Sequence, residues 1–262
     1  MPRFEARVEV VKLSVLVRGT EGPILGLMAE DFEVRDNGVP QQVERVQLEE
    51  LPLSVILAFD VSGSVKGDKL VELRRASHAL IDGLKPGDQA ALLTFAETLS
   101  LRPPLQTDLG PLRARIDALT ADGGTSLVDG TFAALALGDA VLGRVLAMVF
   151  TDGQETASWL QQDYALDAAR RTEVVVYGAR VGREGQDFLG RVATTTGGRL
   201  LQVESPDRLR RAFLEILEEF RSRYVLRYTP RGGQRLGWHR LDVRVKGRSA
   251  KVVARKGYLV AR

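Results

Sequence analysis

The stretch Val55-Ile56-Leu57-Ala58-Phe59-Asp60-Val61-Ser62-Gly63-Ser64 decides the reading of this chain. An apolar, β-prone run ends abruptly in a carboxylate followed by two hydroxyls at alternate positions. Such a run predicts a strand buried on both faces, as in a parallel sheet, and open α/β sheets place their ligand sites at the carboxyl ends of such strands. Asp60, Ser62 and Ser64 are then gathered at one point on the sheet rim. One carboxylate and two neutral hydroxyls are hard oxygen donors, suited to Mg²⁺, Mn²⁺ or Ca²⁺ and unsuited to a thiolate-seeking metal.

Working outward, Val145-Leu146-Ala147-Met148-Val149-Phe150-Thr151-Asp152-Gly153 repeats the order of apolar strand, carboxylate and glycine, and Asp122-Gly123-Gly124-Thr125-Ser126-Leu127 adds a hydroxyl on a glycine-bent loop before a helical pattern. Three loops can thus converge on one cation. Capping of helices and turns is the ordinary use of Asp, Ser and Thr. Capping alone does not explain why three separate segments fit one site.

These residues, Asp60-x-Ser62-x-Ser64, Gly124-Thr125 and Thr151-Asp152-Gly153, resemble the metal-ion-dependent adhesion site of von Willebrand factor type A domains, in residue type and chain order. The resemblance implies that Ser62 and Ser64 ligate the metal directly and that Thr125 does so directly or through water. It implies that Asp60 and Asp152 act mostly through water and through hydrogen bonds to the hydroxyl ligands. A dication held by neutral hydroxyls keeps most of its charge and an open position, where the Asp or Glu side chain of a protein partner can replace a water. Asp129, four residues past Thr125, is expected as a supporting carboxylate, and Glu155 and Ser158 as a partner-contacting rim. A second reading keeps the metal as a structural staple within an assembly scaffold.

Around this site the pattern alternates strands and amphipathic helices. Strands are predicted at 53–59, 90–95, 98–101, 145–150, 174–177 and 200–203, and helices near 69–84, 109–119, 126–136, 160–171, 186–194 and 206–220. Leu70, Leu73, Ser77, Leu80, Ile81 and Leu84 fall on one helical stripe. The order predicts a doubly wound, mostly parallel α/β sheet, Rossmann-like, over residues 52–223.

The two flanks read as β. Val8 and Val10, then Val11, Leu13, Val15 and Val17 alternate with one phase slip, read as a bulge. Phe32 to Asp36 forms a strand, Asn37-Gly38 is a hairpin signal, and Tyr224, Leu226, Tyr228 and Leu241, Val243, Val245 alternate around the turn Pro230-Arg231-Gly232-Gly233. Residues 251–260 predict one further strand. Neither flank can bury a face alone, so 1–51 and 224–262 are expected to combine five to seven strands into a small antiparallel sandwich. Asp31-Phe32-Glu33-Val34 through Asn37-Gly38, Leu51-Pro52-Leu53-Ser54, Thr195-Thr196-Gly197-Gly198-Arg199, Tyr224 through Pro230 and Arg255-Lys256-Gly257-Tyr258 also resemble a bacterial subclass of these proteins, abundant in acidobacteria. In related adhesion domains ligand capture is linked to movement of the last helix, and the resemblance implies that site occupancy can be passed to the β-domain through Phe213, Leu217 and Phe220, the expected buried face of that helix.

Composition bounds the function. With 44% hydrophobic and 27% charged residues the chain can build a core, and a net charge of +3 predicts no dedicated nucleic-acid surface. Cysteine is absent, which excludes disulfides, thiol catalysis and cysteine zinc sites. No apolar run has transmembrane length. Met1 to Glu5 lacks the layout of a signal peptide, whereas members of the bacterial subclass commonly begin with one; the expectation is export with the signal absent from this chain, or else retention in the cytoplasm. His78 and His239, the only histidines, have no suitably spaced nucleophile and are expected to be structural or surface residues. Ser62 stands where a phosphoaspartate enzyme carries a second acid, and no G-x-S-x-G elbow or P-loop is present, so no enzymatic activity is expected. The arginines Arg208, Arg210, Arg211, Arg221 and Arg223 read as a solvated amphipathic face.

Overall fold

The computed structural model describes residues 10–48, 51–102, 104–153, 155–182, 187–232 and 236–260, and the chain divides into two compact units, one of residues 50–220 and one of 1–49 with 221–262. The larger unit carries strands β5 (Leu53–Asp60), β6 (Gln89–Phe95), β7 (Leu99–Leu101), β8 (Arg144–Thr151), β9 (Val175–Val181) and β10 (Leu200–Val203). Its helices are α1 (Asp68–Asp82), α2 (Gly110–Asp117), α3 (Leu127–Asp139), α4 (Gln162–Arg171), α5 (Phe188–Thr196) and α6 (Leu209–Arg221). The strand order is β10-β9-β8-β5-β6-β7, parallel throughout except for β7, which returns antiparallel beside β6. The expected doubly wound α/β class is the observed one.

Alternation along β5 builds both layers. Leu53, Val55, Leu57 and Phe59 pack with Leu73 and Leu80 of α1, Leu112 and Ile116 of α2, and Phe213 and Ile216 of α6. Ile56 and Ala58 face the opposite layer, with Leu135 of α3, Leu166 of α4 and Val192 of α5. Every residue of β5 is buried, which is why the strand reads as an unbroken apolar run. Phe59 stacks on Phe213 at 5.9 Å between centroids and meets Phe150 edge-on at 6.4 Å. Phe213, Leu217 and Phe220 are buried, as the helical pattern predicts. The start expected for α5 at Gln186 lies outside the described residues.

From β5 the chain moves outward to β6 on one side, then returns to β8 on the other, so the order reverses between β5 and β8. The carboxyl ends flanking that reversal belong to Asp60 and Thr151. A crevice at this position is where open α/β sheets bind their ligands.

The smaller unit contains β1 (Val11–Arg18), β2 (Phe32–Asp36), β3 (Val39–Gln41), β4 (Arg45–Leu48), β11 (Tyr224–Tyr228), β12 (Gly237–Val245), β13 (Lys251–Val253) and β14 (Gly257–Val260). They form two four-stranded antiparallel sheets, β13-β1-β11-β4 and β14-β12-β2-β3, and each sheet mixes strands from both chain ends. Leu13, Val15 and Tyr224 of one sheet and Phe32, Val34 and Leu241 of the other share a single core. Asn37 (φ 49°) and Gly38 (φ 82°) both lie in the left-handed region between β2 and β3, as a tight hairpin requires.

Three details of this unit depart from the sequence pattern. The single strand expected over 251–260 is two, because β13 pairs with β1 while β14 pairs with β12. The phase slip falls outside β1: Val10 precedes the strand and is half exposed, and Val8 lies outside the described residues. Arg223 does not belong to a solvated face. It is fully buried, donating from Nε to Ser14 Oγ (2.7 Å) and from Nη2 to the Ser14 carbonyl (2.8 Å). Glu219 of α6 is likewise buried, in the larger unit against Arg199.

His239 is structural: its Nδ1 lies 2.8 Å from Asp36 Oδ1. Asp36 Oδ2 accepts from Tyr228 (2.9 Å) and Tyr258 (2.7 Å), and burial raises both tyrosine hydroxyls above their ordinary range. Among the described residues no helix is long and apolar enough to cross a membrane.

Candidate metal centre

Backbone hydrogen bonds stitch the three predicted loops together. Val61 N–H donates to the Phe95 carbonyl, Asp122 N–H to Val61, Gly63 N–H to Gly123 and Ser126 N–H to Ala96, all at 2.9–3.0 Å. The loop after β8 joins through Thr156 and Ala157, whose N–H groups both donate to the Thr125 carbonyl. Gly124 permits that approach, since a Cβ there would lie 3.2 Å from both Ala157 Cβ and Thr156 Oγ1.

Side chains then converge. Ser62 Oγ and Ser64 Oγ are 3.0 Å apart, and Ser64 Oγ donates to Asp152 Oδ1 at 2.7 Å. Asp60, fully buried, accepts Ser62 N–H on Oδ1 (2.9 Å) and the Thr151 hydroxyl on Oδ2 (2.7 Å). A Cβ on Gly153 would stand 3.3 Å from Ser64 Oγ and 3.7 Å from Thr125 Oγ1, so these two hydroxyls flank the same point. Asp60, Ser62 and Thr125 form a buried floor and Ser64 is exposed above it. Desolvation pushes the Asp60 carboxyl above its ordinary value against the pull of its hydrogen bonds with Ser62 and Thr151, and the neighbouring Asp152 carboxylate adds to the rise.

The remaining sequence-predicted residues hold the loop after β8. Asp129 accepts Trp159 N–H and Leu160 N–H, each at 2.9 Å. Glu155 Oε1 accepts from Ala157 N–H and Ser158 N–H, and its Oε2 from Ser158 Oγ and Val128 N–H. Ser158 Oγ lies within hydrogen-bonding distance of the Val128 and Asp129 N–H groups as well. The polar atoms expected to face a partner are thus engaged by backbone, and their work is to fix the loop against the first turn of α3.

Two further residues act at the site beside the five candidate ligands: Thr151, which belongs to the Thr151-Asp152-Gly153 motif, and Lys69. Thr151 orients Asp60 across the β5–β8 pair. Lys69 donates from Nζ to Asp152 Oδ2 and, at 3.1 Å, to the Ser64 carbonyl. A signal for Lys69 existed: it is the second residue of α1, where a cation opposes the helix dipole and needs another reason to be there.

The donor set fits a hard divalent cation. Three hydroxyls and two carboxylates on three loops meet at one rim, and the one side-chain cation in direct contact with them among the described residues is an ammonium resting on Asp152. Among the described residues no three His, Cys, Asp or Glu side chains gather, so the site is hydroxyl-rich and offers a soft metal no thiolate or imidazole.

Comparison with known proteins bears on the fold. The profile of the von Willebrand factor type A domain matches residues 54–215. The bovine (Bos taurus) inter-alpha-trypsin inhibitor heavy chain H4 is 30% identical over 95 residues, and the chain spans about a tenth of the length of that relative. A von Willebrand factor type A structure from Catenulispora acidiphila superposes with a TM-score of 0.59 at 14% identity, covering 96% of this chain and 75% of that one. Proximal thread matrix protein 1 from the mussel byssus, with a zinc-occupied metal-ion-dependent adhesion site, superposes with a TM-score of 0.57 at 18% identity, covering 72% of this chain and 50% of that one. The match to the domain profile extends over more than half of the sequence and contains Asp60, Ser62, Ser64, Thr125 and Asp152. The chain belongs to the von Willebrand factor type A domain family.

Proposed function

We propose that the chain is a metal-dependent protein-binding module, used in adhesion or assembly, that captures an acidic side chain of a partner. Domains of this family commonly mediate metal-dependent protein binding. The observation that carries the reading is the convergence of Ser62, Ser64 and Thr125 hydroxyls over the Asp60 and Asp152 carboxylates, at the reversal point of the sheet, with Ser64 open to solvent. Ser62, Ser64 and Thr125 would hold the cation, Mg²⁺ first and Mn²⁺ or Ca²⁺ as substitutes. Asp60 and Asp152 would orient the hydroxyls by accepting from them or from bound water. A cation there supplies a Lewis-acidic position for the Asp or Glu carboxylate of a protein partner.

The protein's own contribution is preorganisation. Asp60 is locked by Ser62 N–H and Thr151, and the loop carrying Thr125 is pinned by the Thr156 and Ala157 amides, so little order has to be imposed on binding. The site's carboxylates are engaged by Ser64, Thr151 and Lys69, an arrangement that supports holding a cation. We also propose that the chain belongs to the bacterial subclass, on the motifs at 31–38, 51–54, 195–199, 224–230 and 255–258.

The test is calorimetric titration with Mg²⁺ and Mn²⁺, followed by a metal-dependent pull-down against EDTA. A folded-state ligand at about a hundred times its Kd raises stability by about 2.7 kcal/mol. Asp60→Ala and Thr125→Ala should abolish the rise. Ser64→Ala should abolish partner capture, and capture that survives it would convert the site into a staple.

A further inference from the structure

Resting on the metal reading above, we propose that Lys69 is a tethered competitor of the site's cation: its ammonium occupies the Asp152 carboxylate when no metal is bound and must withdraw for the metal to enter.

The argument starts from charge. The Asp152 side chain is fully buried, and among the described residues Ser64 Oγ donates to its Oδ1 and Lys69 Nζ to its Oδ2. Asp60 stands close by as a second buried carboxylate. Two buried carboxylates with no cation would repel each other in a poorly hydrated floor. Lys69 supplies the missing positive charge from its own chain. Its placement serves this purpose at a cost elsewhere, because the first turn of α1 is where a helix disfavours a cation.

The same contact identifies a competition. A dication seated among the Ser62, Ser64 and Thr125 hydroxyls would draw on the same Asp152 carboxylate that Lys69 holds, and an ammonium beside it would be repelled. Lys69 has a way out. Its side chain is about one-third exposed, and a lysine stem is long enough to carry the ammonium into water while the helix stays in place. The metal-free site is therefore a closed ion pair that a cation must break, which weakens its apparent affinity while keeping the loops folded in the cation's absence.

The experiment uses the full chain, with Mn²⁺ as the probe. Calorimetry on the parent, Lys69→Met and Lys69→Gln should show Mn²⁺ bound about tenfold more tightly by both variants, because a competing unit charge has been removed. In EDTA both variants should melt below the parent. A labelling measurement needs no substitution: acetylation of Lys69, followed by mass spectrometry, should be slow in EDTA and faster with saturating Mn²⁺, with Asp60→Asn showing no metal effect. If the parent binds Mn²⁺ while the variants bind it equally or more weakly, or if metal leaves Lys69 labelling unchanged, the competition is overturned and the metal reading stands. If neither parent nor variants respond to Mn²⁺, the metal reading fails and takes this inference with it.

Discussion

Thr151→Val removes one hydroxyl from a fully buried position and leaves the shape of the side chain and its strand preference in place. In the parent that hydroxyl donates to Asp60 Oδ2 at 2.7 Å, and the other carboxylate oxygen is held by Ser62 N–H. The variant leaves Oδ2 without this donor in a floor where desolvation already penalises the charge. A hydrogen bond to a buried ionised group is worth about 1.5–3 kcal/mol. For a unit of this size each kcal/mol moves Tm by about 2–4 °C, so a loss of about 3–12 °C is expected at neutral pH. The pH dependence has a definite sign. Asp60 carries a raised folded pKa, so the native state binds its proton before the unfolded chain does, and stability falls as pH rises through the interval above the ordinary value of 3.8. Removing a donor to the ionised form raises that pKa further. The deficit of the variant should therefore be complete above the raised pKa and should shrink as pH falls through it and Asp60 takes up its proton. Calorimetric melting at a series of pH values in EDTA checks this. A deficit that is absent at pH 7.5, or the same size at pH 4 as at pH 7.5, would refute the role assigned to Thr151.

Other expectations can be checked on the same instruments. Asp129→Ala frees the Trp159 and Leu160 amides and should cost about 2 kcal/mol, with hydrogen exchange rising at those two amides ahead of global unfolding. Gly198→Ala would place a Cβ 1.9 Å from the Val176 carbonyl oxygen, a backbone atom that cannot swing aside, and should destabilise by about 3 kcal/mol in a denaturant melt. Tyr228→Phe deletes one of two phenol donors to Asp36 and should lower the stability of the smaller unit by about 1.5–3 kcal/mol, read from the amide exchange of β11. Chelation with EDTA should leave the far-ultraviolet circular dichroism unchanged at 25 °C, because the loops at the site are joined by protein hydrogen bonds and by the Lys69 to Asp152 ion pair.

The α/β unit was legible because its signals are local. β5 is buried on both faces and therefore reads as an unbroken apolar run, and the stripe of Leu73, Leu80 and Ile81 marks the buried face of α1. The five oxygen-bearing residues were found because each sits at a strand end or a glycine turn, features that sequence records directly. Their role as metal ligands remains the proposal tested above. What sequence could not record is where a polar side chain spends its hydrogen bonds. Glu155 and Ser158 have the composition of an exposed rim, yet they bond Val128, Ala157 and each other across a loop whose path depends on α3. Arg223 looked solvent-facing beside Arg221 because its partners, Ser14 and Val253, lie 209 and 30 residues away in the chain. Long-range pairing also divides 251–260 between two sheets, a division that strand alternation leaves unmarked.

β4 ends at Leu48 and β11 begins at Tyr224, and these two residues are paired partners in one antiparallel ladder. The chain thus departs from the smaller unit and rejoins it at neighbouring points of a single sheet, with residues 49–223 acting as one immense hairpin loop. Closing an unstructured loop of that length costs about 4–5 kcal/mol in chain entropy. An insert that folds as a compact unit of its own replaces that free loop with ordered chain. The expected order is that the α/β unit, a compact unit in its own right, folds before β4 and β11 pair, which a kinetic refolding measurement on both units checks. Loss of the insert's stability should then appear as slow or failed assembly of the β-strands, far from any residue that was changed.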